Sequence, residues 1–139
     1  MNKIIITGHG NFASGIYSSL ELISGPKENV LVVDFLKEDS DDLLRENIKQ
    51  LINDDDNYLV ICDLLGGSPY KQAALLSCEH KNIRVVTGAN VGGILDVSLK
   101  LNKLTIDELA KRVVEASLKN LQLVNLENDN KQEEVTDGI

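Results

Sequence analysis

A chain of 139 residues with 42% hydrophobic and 4% aromatic side chains is long enough to bury one core. Its formal charge of −8 excludes the clustered Lys and Arg that a nucleic-acid backbone or an anionic membrane surface requires. No apolar run approaches the roughly 20 residues of a membrane span, and Met1-Asn2-Lys3 before a short isoleucine run is no signal peptide, so the sequence predicts a cytoplasmic protein without membrane insertion.

Residues 3–7, with Ile4, Ile5 and Ile6, read as a first strand that runs into the turn Gly8-His9-Gly10. Phe12, Ala13, Ile16, Leu20 and Ile23 recur at three- and four-residue spacing and predict a helix over 12–23, closed by Gly25-Pro26. Residues 30–35, Val30-Leu31-Val32-Val33-Asp34-Phe35, form a second strand. Ser40, Asp41 and Asp42 open a second helix whose inner stripe is expected to be Leu43, Leu44, Ile48, Leu51 and Ile52.

Residues 58–62 are a third apolar run, Tyr58-Leu59-Val60-Ile61-Cys62, ending in the carboxylate of Asp63. Gly66 and Gly67 permit a tight turn, Ser68 is the expected N-cap, and Pro69 suits a first helical position that needs no N–H, so a third helix runs over 70–79. Residues 83–87 are a fourth strand, followed by Gly88-Ala89-Asn90 and a helix over about 92–101. Thr105 and Glu108 form a capping box that opens a last helix with Ile106, Leu109, Ala110, Val113 and Val114 on one side. Residues 121–126 read as a final strand, less apolar than the others and hence at an edge. The polar stretch 127–139 reads as a disordered tail beyond a single domain of residues 1–126. Cys62 and Cys78 lack metal-type or C-x-x-C spacing and are expected to be buried or half-buried thiols.

Continuous Val/Ile/Leu strands alternating with amphipathic helices predict an α/β fold, an open three-layer sandwich with a parallel sheet covered on both faces. With strand order 2-1-3-4, the functional crevice falls between the first and third strands at their carboxyl ends. The loops carrying His9 and Asp63 then face each other, with the Gly88-Ala89-Asn90 loop beside them. A neutral imidazole is a nucleophile, and a carboxylate on its other nitrogen fixes the tautomer and stabilises the cation that forms. The amides of Gly66, Gly67 and Ser68, with the Ser68 hydroxyl, suit the oxygens of a transferred phosphoryl group without any Lys or Arg. His9 and Asp63 lack a third metal ligand, so neither a metal nor another cofactor is expected. His80 is expected to be solvated at a helix end. Gly8-x-Gly10-x-x-Ala13 with Asp34 offers a rival reading as a dinucleotide-binding fingerprint, which leaves Asp63 and the Gly66-Gly67-Ser68-Pro69 turn unexplained.

The residues Thr7-Gly8-His9-Gly10, Asp63-x-x-Gly66-Gly67-Ser68-Pro69-Tyr70 and Thr87-Gly88-Ala89-Asn90 together resemble the IIA component of the mannose-class bacterial sugar phosphotransferase system (PTS), over roughly residues 2–126. Leu65 and Tyr70 stand where some members carry a large aromatic residue and a Phe. The resemblance implies that His9 accepts a phosphoryl group from the histidine-containing phosphocarrier protein and passes it to the IIB component, which phosphorylates sugar entering through a membrane IIC/IID complex. Asp63 is then the hydrogen-bonded partner of His9, and Ser68 part of the phosphoryl pocket. It also implies a homodimer in which the strand at 121–126 pairs antiparallel with the partner's sheet.

Overall fold

The structure is a computed structural model that describes residues 1–126; the tail expected at 127–139 lies outside the described residues. In chain order the elements are β1 (Asn2–His9), α1 (Phe12–Ser24), β2 (Val30–Phe35), α2 (Asp41–Lys49), β3 (Asn57–Cys62), α3 (Ser68–Glu79), β4 (Ile83–Thr87), α4 (Val91–Ser98) and α5 (Ile106–Asn120). The four strands form one parallel sheet in the order β2-β1-β3-β4.

Alternation along β1 divides the core. Ile4 and Ile6 pack with Leu20 of α1, Ile94 and Val97 of α4, and Leu109 and Val113 of α5. Ile5 faces the other way, among Leu44 and Ile48 of α2 and Ala73 and Leu76 of α3. Both faces are dry, which is why the strands read as unbroken apolar runs rather than alternating ones.

Local chemistry sets most helix starts. Ser40 Oγ accepts the Leu43 N–H at 3.1 Å. Thr105 Oγ1 accepts the Glu108 N–H at 3.2 Å while Glu108 Oε1 accepts the Thr105 N–H at 3.1 Å, completing the capping box. The start of α1 is different. Asn11 offers no side-chain cap, and the Ser14 N–H instead donates to Asp34 Oδ1 at 3.0 Å, from the end of β2.

Several expectations are corrected. Leu43 is exposed, because Leu44 and Ile48 define the buried stripe of α2 and Leu43 lies about 100° around the helix. Val114 is exposed beside buried Val113 for the same reason. The second helix ends at Lys49 and the fourth at Ser98, so Leu51, Ile52 and Leu101 reach the core from the turns beyond. Cys78 is exposed, whereas Cys62 is buried. Residues 121–126 form no strand; Leu121, Leu123, Val124 and Leu126 are exposed, and β4 remains an edge of the sheet, as β2 is at the other side.

The packing of α4 on α5 depends on glycine. A Cβ at Gly93 would fall 2.0 Å from Ser117 Oγ, 2.8 Å from the Ser117 nitrogen and 2.9 Å from the Val113 carbonyl oxygen. Helix propensity alone favours Gly93→Ala by about 1 kcal/mol, but two of these three contacts are backbone and cannot swing away. Gly93→Ala is therefore expected to destabilise the protein by about 1–3 kcal/mol in urea unfolding; an equal or higher stability would show that the helices separate at little cost.

Candidate active site

The site lies where β1 and β3 end side by side. His9 closes β1, two residues beyond Thr7, which is paired in register with Cys62 at the end of β3. Asp63 follows at once and reaches across. Its Oδ2 accepts the His9 backbone N–H at 2.8 Å and lies 2.7 Å from the ring nitrogen Nδ1, while Oδ1 accepts the Leu64 N–H at 2.9 Å. An ionised carboxylate only accepts, so the proton between the side chains sits on Nδ1. The tautomer is thereby set, and Nε2 is the ring's free lone pair.

Electrostatics agree with this assignment. Burial pushes the Asp63 carboxyl up, but hydrogen bonds from the His9 N–H and ring, with that from the Leu64 N–H, outweigh it and hold the group below its ordinary value. The side chain of Asp63 is 11% exposed and that of His9 47%, so the carboxylate is sheltered while the imidazole faces out. Cys62, one residue before Asp63, is inert as a nucleophile. Burial first, and then the Asp63 charge, push its thiol up to about 12, leaving almost no thiolate at neutral pH.

The turn after Asp63 brings a helix end to the imidazole. Gly66 has φ 89°, the left-handed conformation that favours glycine. Gly67 is the N-cap, so Ser68 is the first helical residue rather than the cap predicted from its hydroxyl. A Cβ at Gly67 would lie 2.7 Å from His9 Cε1 and 3.5 Å from Nε2, so a side chain there would push the imidazole out of its place. Pro69 has no N–H to leave unpaired, and the first-turn amides of α3 that remain lack intrahelical acceptors next to Nε2.

The structure thus brings together His9, Asp63 and Gly67, with Gly66 and Ser68 next to Gly67 in the same turn, all singled out in the sequence. The Gly88-Ala89-Asn90 loop lies at the end of β4, but Asn90 turns away: its amide caps α4 through the Gly93 N–H and donates to the Ser117 carbonyl at 2.8 Å. His80 is at the opposite end of α3, a helix about 18 Å long at 1.5 Å per residue. The dinucleotide reading finds no support, since the Asp34 carboxylate that it needs for a ribose holds the start of α1. Sequence reasoning missed Phe35. It lies beside His9 in the β1–β2 register and meets the imidazole in a T-shaped contact, ring centroids 5.8 Å apart. Among the described residues no group of three His, Cys, Asp or Glu side chains could hold a metal ion.

Fold and site together define a doubly wound α/β protein with a histidine–carboxylate centre between its first and third strands. The sequence model of the EIIA-man family, described as the PTS system fructose IIA component, matches residues 3–114. The chain is 28% identical over 126 residues to the fructose-specific EIIA component of Bacillus subtilis, covering 88% of this chain and 86% of that one. It is also 28% identical over 116 residues to the mannose-specific EIIAB component of Escherichia coli K12, covering 81% of this chain and 36% of that longer one. The crystal structure of a phosphotransferase system EIIA component from Streptococcus agalactiae superposes with a TM-score of 0.84 at 35% identity, covering 91% of this chain and 98% of the other. The chain belongs to the mannose-class EIIA family, and is thus a phosphotransfer component of the PTS. No helix among the described residues is long and apolar enough to cross a membrane.

The depressed Asp63 carboxyl has a sign that can be tested. A group whose folded pKa lies below its unfolded value adds stability above the unfolded value and loses it as pH falls through the folded one. Asp63→Asn is therefore expected to be less stable than the parent at about pH 7, with the gap narrowing through the carboxylate range, about pH 4 and below. Urea unfolding across that range checks it; a pH-independent gap would assign the loss to shape rather than charge.

Proposed function

We propose that His9 carries the phosphoryl group, accepting it on Nε2 from the phosphorylated histidine-containing phosphocarrier protein and delivering it to the IIB component. IIB then phosphorylates sugar that enters through a membrane IIC/IID complex, and the chain works in the cytoplasm. The observation that carries the reading is the division of labour on one ring: Nδ1 is taken by Asp63, and Nε2 stands open beside the start of α3. The Nε2 lone pair attacks phosphorus as the donor's P–N bond breaks, and the electron pair returns to the donor nitrogen. His9 keeps its Nδ1 proton, so the phosphorylated ring is a cation, and the Asp63 carboxylate lies against it. Amides of Gly67 and Ser68 at the positive end of α3 suit the phosphoryl oxygens. The second transfer is the same step in reverse.

The printed name of the Escherichia coli relative, an EIIAB component, supports IIB as the acceptor, since there the matching region is part of a longer chain that bears both designations. A homodimer fits the apolar surface at the sheet edge. Beside β4 a groove of about 240 Å3 is lined by Val86, Thr87, Val114, Leu118 and Leu121 among others, and residues 121–126 follow it with four exposed apolar side chains. An edge strand and an exposed apolar segment in each copy suit one another by two-fold exchange.

Labelled phosphate passed from phosphoenolpyruvate through the two general phosphotransferase proteins is expected to reach His9 as an acid-labile phosphohistidine. His9→Ala should abolish the label with the fold intact; a label retained in that variant, or mapped to His80, would sink the reading. Removing everything after Asn120 should yield a monomer or an aggregating protein, whereas removing only residues 127–139 should leave a dimer. Size-exclusion chromatography with light scattering decides it, and a full-length monomer at tens of micromolar defeats the dimer.

A further inference from the structure

We infer that Phe35 is a positioning residue for His9, a wall that holds the imidazole in the orientation that keeps Nδ1 on Asp63 and Nε2 open. The ring is bracketed from both neighbouring strands. On the β3 side are Asp63, at 2.7 Å from Nδ1, and Gly67, whose Cα leaves no room for a Cβ against Cε1. On the β2 side is the Phe35 ring, 5.8 Å centroid to centroid and inclined at 69°. Phe35 also holds the backbone just past His9, since its carbonyl oxygen accepts the Gly10 N–H at 2.7 Å. Its own side chain packs against the core cluster that contains Val33, Leu44 and Ile48, so the wall is itself fixed.

The need for such a wall follows from exposure. The His9 side chain is 47% exposed, so the core does not restrain it, and one hydrogen bond at Nδ1 tolerates tens of degrees of misalignment before it weakens steeply. A ring held only by Cβ and that one hydrogen bond can turn about its side-chain torsions, which breaks the Nδ1–Asp63 bond part of the time and swings Nε2 out of place. In-line attack needs that lone pair held within about 10–20°. Phe35 stops the turning toward β2, as Gly67 does toward β3.

The kinetic part of this inference rests on His9 being the phosphoryl carrier; the structural part does not. Long-range proton–nitrogen correlation spectra of the imidazole report its tautomer with no phosphoryl donor present. The parent is expected to show His9 predominantly as the Nδ1–H form, Phe35→Leu and Phe35→Met to show averaged tautomers, and Phe35→Tyr to restore the parent pattern. In single-turnover transfer from the phosphorylated donor, Phe35→Leu is expected to slow the step about three- to tenfold, as loss of an aromatic pair implies, with the donor concentration at half-maximal rate unchanged.

A folded Phe35→Leu with the parent's His9 signals overturns the inference, even if transfer slows, because Phe35 would then be a docking contact. Equal disturbance in Phe35→Tyr also overturns it, and so does loss of the whole fold in both Phe35→Leu and Phe35→Met, which would make Phe35 a core residue only. If the parent takes no label at His9, the proposed function fails while the tautomer readout still decides the role of Phe35.

Discussion

A single oxygen, Asp63 Oδ2, takes both the backbone N–H and the Nδ1 proton of His9, and the rest of the site depends on that shared acceptor. It ties the end of β1 to the start of the loop after β3, chooses the tautomer, and leaves Nε2 as the ring's free lone pair. Burial alone would favour a neutral carboxyl, which would have a proton of its own to place. Three donors reverse that preference, so the charge is kept without a lysine or arginine that would compete for an incoming anion. The remaining electrostatics come from the first turn of α3, whose donors are fixed by backbone rather than carried on long side chains.

The other carboxylates of the chain show what is particular about Asp63. Asp56 lies at the far end of the sheet and is lowered to about 2, chiefly by Asn53 and Lys3. Asp96 is held down by Arg112 and Lys100, bridging α4 to α5. Both sit near solvent with full cationic partners, where such pairs add little to stability and salt weakens them. Asp63 instead spends its lone pairs on the backbone around it and on the His9 imidazole.

How much of this could be read from the sequence follows from the range of each interaction. The strands were legible because burial on both faces leaves unbroken apolar runs, and the starts of α2 and α5 because Ser40, Thr105 and Glu108 cap within four residues. His9, Asp63 and the glycine turn were legible because their residue types are rare in combination and lie at strand ends. Contacts between distant segments were not. Asp34 caps α1 from 20 residues away, and nothing near Asn11 announces it. Phe35 reads as the last apolar residue of a strand until register sets it beside His9. Gly67 takes the cap that the Ser68 hydroxyl suited, and the neighbour it makes room for is an imidazole on another strand. The strand expected at 121–126 did not form although β4 leaves an edge open: apolar content alone does not dock a short segment on an edge.

The parity of β1 has a consequence for length variation in such chains. By alternation His9 shares the sheet face of Ile5, while Gly8 shares that of Ile4 and Ile6. A one-residue insertion or deletion between Asn2 and Gly8 would exchange the two faces, carrying the imidazole over to the α1 side and turning the isoleucines into the wrong halves of the core. Folding and chemistry would fail together, so the count of residues leading to His9 is held by the sheet itself. The connections at 25–29 and 50–56 join helices back to the opposite ends of the strands. Insertions can accumulate there, on the rim that faces away from the imidazole.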